Sequence, residues 1–191
     1  MIPFNHLGWL FSRFGNAAYP DAVVHDLCDA LNEVRRGGSV LDLGAGTGIV
    51  GNYAHGCRSD LRFVAADPAE GMLKYVPKHV EKVTARAEAL PFEADVFDAV
   101  VAGEALHHFD DPGDALAEIA RVLRGGGVIF VYEFDPSTFL GRLICLAEKL
   151  LGEPGHFYPP DILAGKLEAH GFGVRIGRHG WRYTLTAHLK E

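Results

Sequence analysis

The sequence predicts one α/β domain: a mostly parallel sheet with helices on both faces and an antiparallel hairpin at one edge. Three observations carry this expectation. From about residue 39, short apolar runs alternate with amphipathic segments, the pattern of strands joined by crossover helices. The first run, Val40-Leu41-Asp42-Leu43, ends directly in Gly44-Ala45-Gly46-Thr47-Gly48, a glycine turn of the kind that joins strand to helix. The C-terminal part reads as a helix followed by two alternating strands close in sequence, which pair as a hairpin and so run antiparallel.

The elements follow in order. Pro20-Asp21 opens a helix reaching about residue 33, since proline suits a first helical turn. Residues 40–43 form the first strand, followed by a helix at 47–55, a strand at 61–66 and a helix at 69–75 that Pro77 stops. A short strand at 80–84 and another at 97–101 come next. Residues 114–123 place Ala115, Leu116, Ile119 and Val122 at helical spacing, and Arg124-Gly125-Gly126-Gly127 turns the chain into a strand at 128–132. Residues 138–151 predict a core-facing helix with Leu140, Leu143, Ile144, Ala147 and Leu151 inward. A helix at 160–170, capped by Gly171, precedes strands at 173–178 and 181–189. All of 1–191 forms one domain, in which 36–191 make the core and the aromatic-rich residues 1–35 a helical lid.

Composition narrows the function. With 191 residues, 48% of them hydrophobic, the chain can bury a substantial core. Its 25 acidic against 18 basic residues, a net charge of -7, disfavour a basic track along nucleic acid. Cys28, Cys57 and Cys145 are odd in number and far apart, which suggests neither a disulfide framework nor a zinc site and fits reduced thiols in a cytoplasmic protein. The N-terminus has no secretory pattern, and no apolar run approaches the roughly 18 residues of a membrane span.

Glycines after a strand allow positive φ and close backbone approach to a ligand, and the following helix presents free N–H groups. Asp67 ends the second strand about 20 residues on, where a carboxylate can accept from a ribose diol. Turn and acid together read as an adenosine-type nucleoside site. Gly46, Gly48 and Gly51 also spell Gly-x-Gly-x-x-Gly, the dinucleotide fingerprint, but the tight turn already begins at Gly44, and counting from there puts Ile49 at the third glycine. Asp42, inside the strand, suits a cofactor with a cationic amino-acid head better than a pyrophosphate.

Val40 to Gly48, Asp67-Pro68, Ala87-Glu88-Ala89-Leu90-Pro91-Phe92, Phe97-Asp98-Ala99-Val100, Leu106-His107-His108-Phe109 and Leu123-Arg124-Gly125-Gly126-Gly127 occur in the order of class I S-adenosylmethionine (SAM) dependent methyltransferases. The chain most resembles the branch containing the ubiquinone and menaquinone biosynthesis methyltransferases, over about residues 38–133. The resemblance implies a Rossmann-like seven-stranded sheet and a SAM cofactor, with S-adenosylhomocysteine as product. It places Gly44, Ala45, Gly46 and Gly48 along the methionine and ribose part of SAM, Asp42 near its amino end, Asp67 on the ribose hydroxyls, Pro68 and Met72 against adenine, and Gly103 also on the cofactor side. An Asp commonly stands at the position of Arg86 in such enzymes. Arginine has no acceptor, so either Ala87 N–H and the Glu88 side chain supply the recognition of adenine, or adenine binds more weakly here.

Methyl transfer from a sulfonium is an in-line displacement that needs alignment more than a nucleophile. Where the acceptor must lose a proton, a base belongs on the loops after the strands, which makes His107, His108 and Glu133 the catalytic candidates, with Glu104 and Asp135 nearby. No metal is expected, because adjacent histidines point in different directions and no third ligand is spaced to join them. The acceptor, expected to be a small molecule, would lie under Phe4, His6, Trp9, Phe11 and Phe14 and beside Gly155, His156, Phe157 and Tyr158, so that Trp9, Phe11, His108, His156 and Tyr158 are the expected substrate contacts. Two other functions fit the same residues: a SAM-binding protein without transferase activity, and a nicotinamide-dependent oxidoreductase.

Overall fold

The computed structural model describes residues 19–150 and 155–190. In chain order the elements are α1 (Asp21–Asn32), β1 (Ser39–Leu43), α2 (Ile49–Cys57), β2 (Arg62–Ala66), α3 (Glu70–Leu73), β3 (Glu81–Val83) and β4 (Phe97–Gly103). After a 3-10 turn (Leu106–His108) come α4 (Pro112–Val122), β5 (Leu123–Phe134), α5 (Phe139–Leu150), α6 (Pro160–Ala169), β6 (Phe172–His179) and β7 (Arg182–Leu189). The seven strands form one sheet in the order β3-β2-β1-β4-β5-β7-β6. β1 to β5 pair in parallel, and β7 enters antiparallel between β5 and β6. This is the predicted Rossmann-like architecture with its C-terminal hairpin.

Period-two alternation divides the core into two layers. Val40, Phe63, Ala99, Val101, Val128 and Phe130 face α1 and α2, where Val23, Leu27, Leu31, Val50 and Ala54 meet them. Leu41, Leu43, Val100, Ile129, Val131 and Leu185 face the opposite way, onto Leu116, Ile119 and Val122 of α4 and Leu163 and Leu167 of α6. Each fully buried large side chain contributes roughly 1.5–3 kcal/mol, so neither face can be left uncovered. By the same alternation Asp42 lies on the α2 side and Glu133 on the α4 side.

Three expectations change, and a fourth is not reached. Residues 124–127 do not end a helix and begin a separate strand. Phe97 pairs Leu123 while Ala99 pairs Val128, so Arg124 to Gly127 bulge out of one strand, with Gly126 at φ +73°. The helix at 138–151 is not core-facing. In α5 only Gly141 is buried, while Phe139, Leu143, Leu146 and Leu150 stand exposed. Helical spacing identified a stripe, but the close approach runs along its edge, where Gly141 lies against the Asp135 carbonyl with no room for a Cβ. The cysteines are not all reduced: Cys28 of α1 and Cys57 of α2 form a disulfide with Cα atoms 5.1 Å apart, and Cys145 is free. Their spacing carried no signal, because the packing of α1 on α2 joins them. The bond also removes the argument from reduced thiols to a reducing compartment. Finally, most of the expected lid, with Phe4, His6, Trp9, Phe11 and Phe14, lies outside the described residues. No described helix is long and apolar enough to cross a membrane.

Candidate functional site

The glycine turn leaves β1 at the carboxyl end of the sheet. Gly44 and Ala45 N–H both donate to the Ala66 carbonyl of β2, at 2.9 and 3.1 Å, which folds the turn across the strand ends. Gly44 has φ +66°, and a Cβ there would come within 2.5 Å of the Ala105 Cβ, so both conformation and space require glycine. Gly46 and Gly48 are also at positive φ, Gly48 as the N-cap of α2. Asp67 accepts from Gly46 N–H at 2.8 Å through Oδ2 and from Ala69 N–H at 2.7 Å through Oδ1. Each carboxylate oxygen keeps a further lone pair. Burial raises the Asp67 pKa, partly offset by those two N–H donors.

Beside this turn runs a cleft lined by Leu43, Gly44, Pro68, Arg86, Ala87 and Glu88 on one side and His108, Phe109 and Asp110 on the other. It brings together four of the residues expected to hold a cofactor, and adds His108. Met72 is adjacent, its methyl 3.5 Å from the place a Gly46 Cβ would occupy. Glu88 accepts from Asp111 N–H at 3.2 Å and lies 3.5 Å from Arg86, which also pairs with Asp110. Arg86 thus pins the 86–88 loop to the segment before α4.

Asp42 and Gly48 lie on the other side of the turn, lining a small hollow under α2 with Gly51, Asn52, Phe63 and Val76. Asp42 Oδ2 accepts from Gly51 N–H at 3.1 Å, and Oδ1 makes no hydrogen bond among the described residues. Burial, opposed by the Gly51 N–H and reinforced by Asp67, pushes its pKa up to about 7. Gly103 is covered by Tyr19, whose hydroxyl occupies the space a Cβ would need. The Tyr19 ring stacks on Tyr53 at 5.2 Å and tilts against Tyr132 at 4.9 Å. Sequence reasoning missed Tyr19; the available signal was its place directly before the α1 proline.

Behind His108, which lines the cleft, lie the segment after β4 and the end of β5. Glu104 adopts φ +51°, a conformation an L side chain holds only when its surroundings impose it. Its carboxylate lies 3.4 Å from Arg182 of β7, and burial raises its pKa to about 7 against that cation. His107 and Glu133, both buried, form a dyad: Nδ1 is 2.6 Å from Glu133 Oε2, and the His107 backbone N–H donates to Oε1 at 3.3 Å. Burial works against the imidazolium, but Glu133 first, then Glu148 and Glu104, outweigh it and raise the His107 pKa. His156 N–H donates to the His107 carbonyl at 2.7 Å, and the Phe157 ring stacks on the imidazole at 4.6 Å. The 155–158 segment therefore lies against the dyad through His156 and Phe157, while Tyr158 turns toward Lys166 of α6 and the core. Asp135 receives Ser137 N–H at 2.9 Å and shapes the start of α5. Trp9 and Phe11 lie outside the described residues.

One expectation about this end fails. A third group does join the histidine pair: Glu148 of α5 brings Oε2 to 3.5 Å from His107 Nε2. One ligand atom from each of His107, His108 and Glu148 falls within 4.8 Å of the others. Nothing local in the sequence links Glu148 to residues forty positions earlier; only the return of α5 over the strand ends does.

A carboxylate held by a glycine turn thus stands beside a cleft, with a titratable cluster next to His108. Residues 41–131 match the family described as "Methyltransferase domain". That stretch, somewhat under half of the chain, is similar to a methyltransferase domain. Among curated relatives, the ubiquinone/menaquinone biosynthesis C-methyltransferase UbiE of Escherichia coli strain K12 is 39% identical over 112 residues, covering 53% of this chain and 45% of that protein. That of Cronobacter sakazakii is 36% identical over 116 residues, covering 56% and 46%. The chain thus spans somewhat under half the length of these relatives. A chain from the complex between the Haloferax volcanii Trm112 methyltransferase activator and a methyltransferase superposes with a TM-score of 0.77 at 16% identity, covering 98% of each chain. An O-methyltransferase family protein from Burkholderia thailandensis gives 0.78 at 17%, covering 97% of this chain and 59% of that one. These solved structures support the fold of the methyltransferase domain.

Proposed function

We propose that this protein binds SAM in the cleft beside the glycine turn and transfers its methyl group to a small-molecule acceptor. The observation that carries the reading is Asp67, whose two oxygens are fixed by Gly46 and Ala69 N–H beside a turn too tight for any Cβ at Gly44. When bound, SAM supplies an already activated methyl on a cationic sulfur. The turn backbone approaches the ribose and methionine part, and the free lone pairs of Asp67 accept from the ribose diol. Pro68, Ala87 and Phe109 give the adenine an apolar slot. At the other end the cluster centred on His107 draws off the acceptor's proton, with Glu133 fixing the imidazole so that Nε2 presents its lone pair. Stacked Phe157 keeps water from the dyad.

Titration calorimetry with SAM and with S-adenosylhomocysteine tests the donor site. The reading predicts a 1:1 complex that Asp67→Ala weakens at least tenfold, while NAD gives no heat. No response to either ligand at millimolar concentration overturns it. Incubation with methyl-labelled SAM and a metabolite panel tests transfer: the alternative of a SAM-binding protein without transferase activity predicts cofactor retention and no labelled product.

A further inference from the structure

The acceptor end holds more ligating groups than proton transfer needs. His107 Nδ1 faces Glu133 Oε2 at 2.6 Å, and Nε2 is buried, makes no hydrogen bond among the described residues, and lies 3.5 Å from Glu148 Oε2; with the Nδ1 proton toward Glu133, Nε2 is the nitrogen a cation would take, displacing any proton there. The separation is close to that between two ligands of one tetrahedral ion, roughly 3.4 Å for bonds near 2.1 Å. His108 stacks beside His107 with ring centroids 4.0 Å apart and lines the cleft, completing a set whose ligand atoms all lie within 4.8 Å. Two imidazoles and one carboxylate are the donor set of metal sites that keep an open position. A carboxylate behind a ligating histidine fixes its tautomer and raises its basicity, which is what Glu133 does to His107. Glu104 and Glu133 add negative charge around the cluster, whereas Arg182 is the cation that faces Glu104.

We propose that His107, His108 and Glu148 bind a divalent transition-metal cation of the zinc class at the acceptor end of the cleft, with Glu133 as the carboxylate behind His107. The set joins the segment after β4 to α5, so the cation ties α5 onto the strand ends. With the cation on Nε2, His107 is a ligand and not the base: on the side bounded by His108, which lines the cleft, a hydroxyl of the acceptor completes the coordination and loses its proton to solvent because the charge lowers its pKa. This rests on the proposed function for the identity of the acceptor, but the metal site itself does not.

The test uses the untagged full chain after chelator treatment, titrated with zinc sulfate and separately with cobalt chloride. The expected result is one zinc per chain with micromolar or tighter affinity, and cobalt absorption bands of a four- or five-coordinate site. Glu148→Gln and His108→Asn each weaken zinc at least tenfold, and Glu148→Gln, remote from the cleft lining, leaves SAM affinity and the unfolding midpoint of the metal-free protein unchanged. Failure to bind zinc, or binding indifferent to both substitutions, overturns the site. SAM binding without zinc binding would remove the metal and leave the methyltransferase reading standing; zinc binding without SAM binding would do the reverse.

Discussion

The two ends of the cleft are stabilised by opposite means. At the donor end the polar groups are paired with backbone: Asp67 with Gly46 and Ala69 N–H, Asp42 with Gly51 N–H, the turn itself with the Ala66 carbonyl. At the acceptor end they are paired with one another: His107 with Glu133 and Glu148, Glu104 with Arg182, Arg182 with the Tyr132 hydroxyl at 2.5 Å. A backbone-built site varies little with side-chain identity so long as its glycines remain. A site of mutually paired side chains can change its chemistry by single substitutions, so the donor end is the stable part of such a domain and the acceptor end its adaptable part.

The comparison breaks most severely at Gly44. Gly44→Val puts a branched Cβ into the Ala105 methyl at a positive φ, and should cost about 3 kcal/mol or more in denaturant unfolding. SAM affinity should fall at least a hundredfold by calorimetry; a change under threefold would mean the turn is not the cradle.

Asp42 tests whether the donor end carries buried charge at a cost. Its folded pKa of about 7 lies above its usual 3.8, so the folded form keeps a proton that the unfolded chain releases. Unfolding free energy therefore falls as pH rises from about 4 to 7, a contribution on the order of 2–4 kcal/mol. Asp42→Asn should flatten that slope and raise stability at pH 8, read from urea midpoints at pH 5 and pH 8.

Glu133→Gln sharpens the contrast from the other side. Removing the charge facing His107 should cost about 2 kcal/mol and abolish methyl transfer, with SAM affinity held within twofold. A parallel loss of SAM affinity would show the two ends to be coupled. The smallest effect belongs to Arg86. Its partner Asp110 and Arg86 itself are largely exposed, so Arg86→Ala should change stability by less than about 1 kcal/mol in thermal unfolding.

Much of the donor end was legible in the sequence. Gly44, Pro68, Ala87 and Glu88 do line one cleft, and Asp67 stands where the second strand ends. The acceptor end was legible only as a pair of histidines and a glutamate. Glu148 beside His107 had no local signature, Tyr19 over Gly103 had only its place before the α1 proline, and α5 leaves its leucines outward while Gly141 and Glu148 meet the strand ends.

The sequence by itself determined the order of strands and helices and the conformation of the donor turn, since both depend on residues adjacent along the chain. Period-two and helical spacing, glycines at positive φ and a carboxylate at a strand end are all local quantities. Tertiary structure alone decided the Cys28–Cys57 bond, the outward face of α5 and the meeting of His107, Glu133 and Glu148. Each of these requires distant elements to pack within a few ångströms. Periodicity states that a face exists; only packing states what it meets.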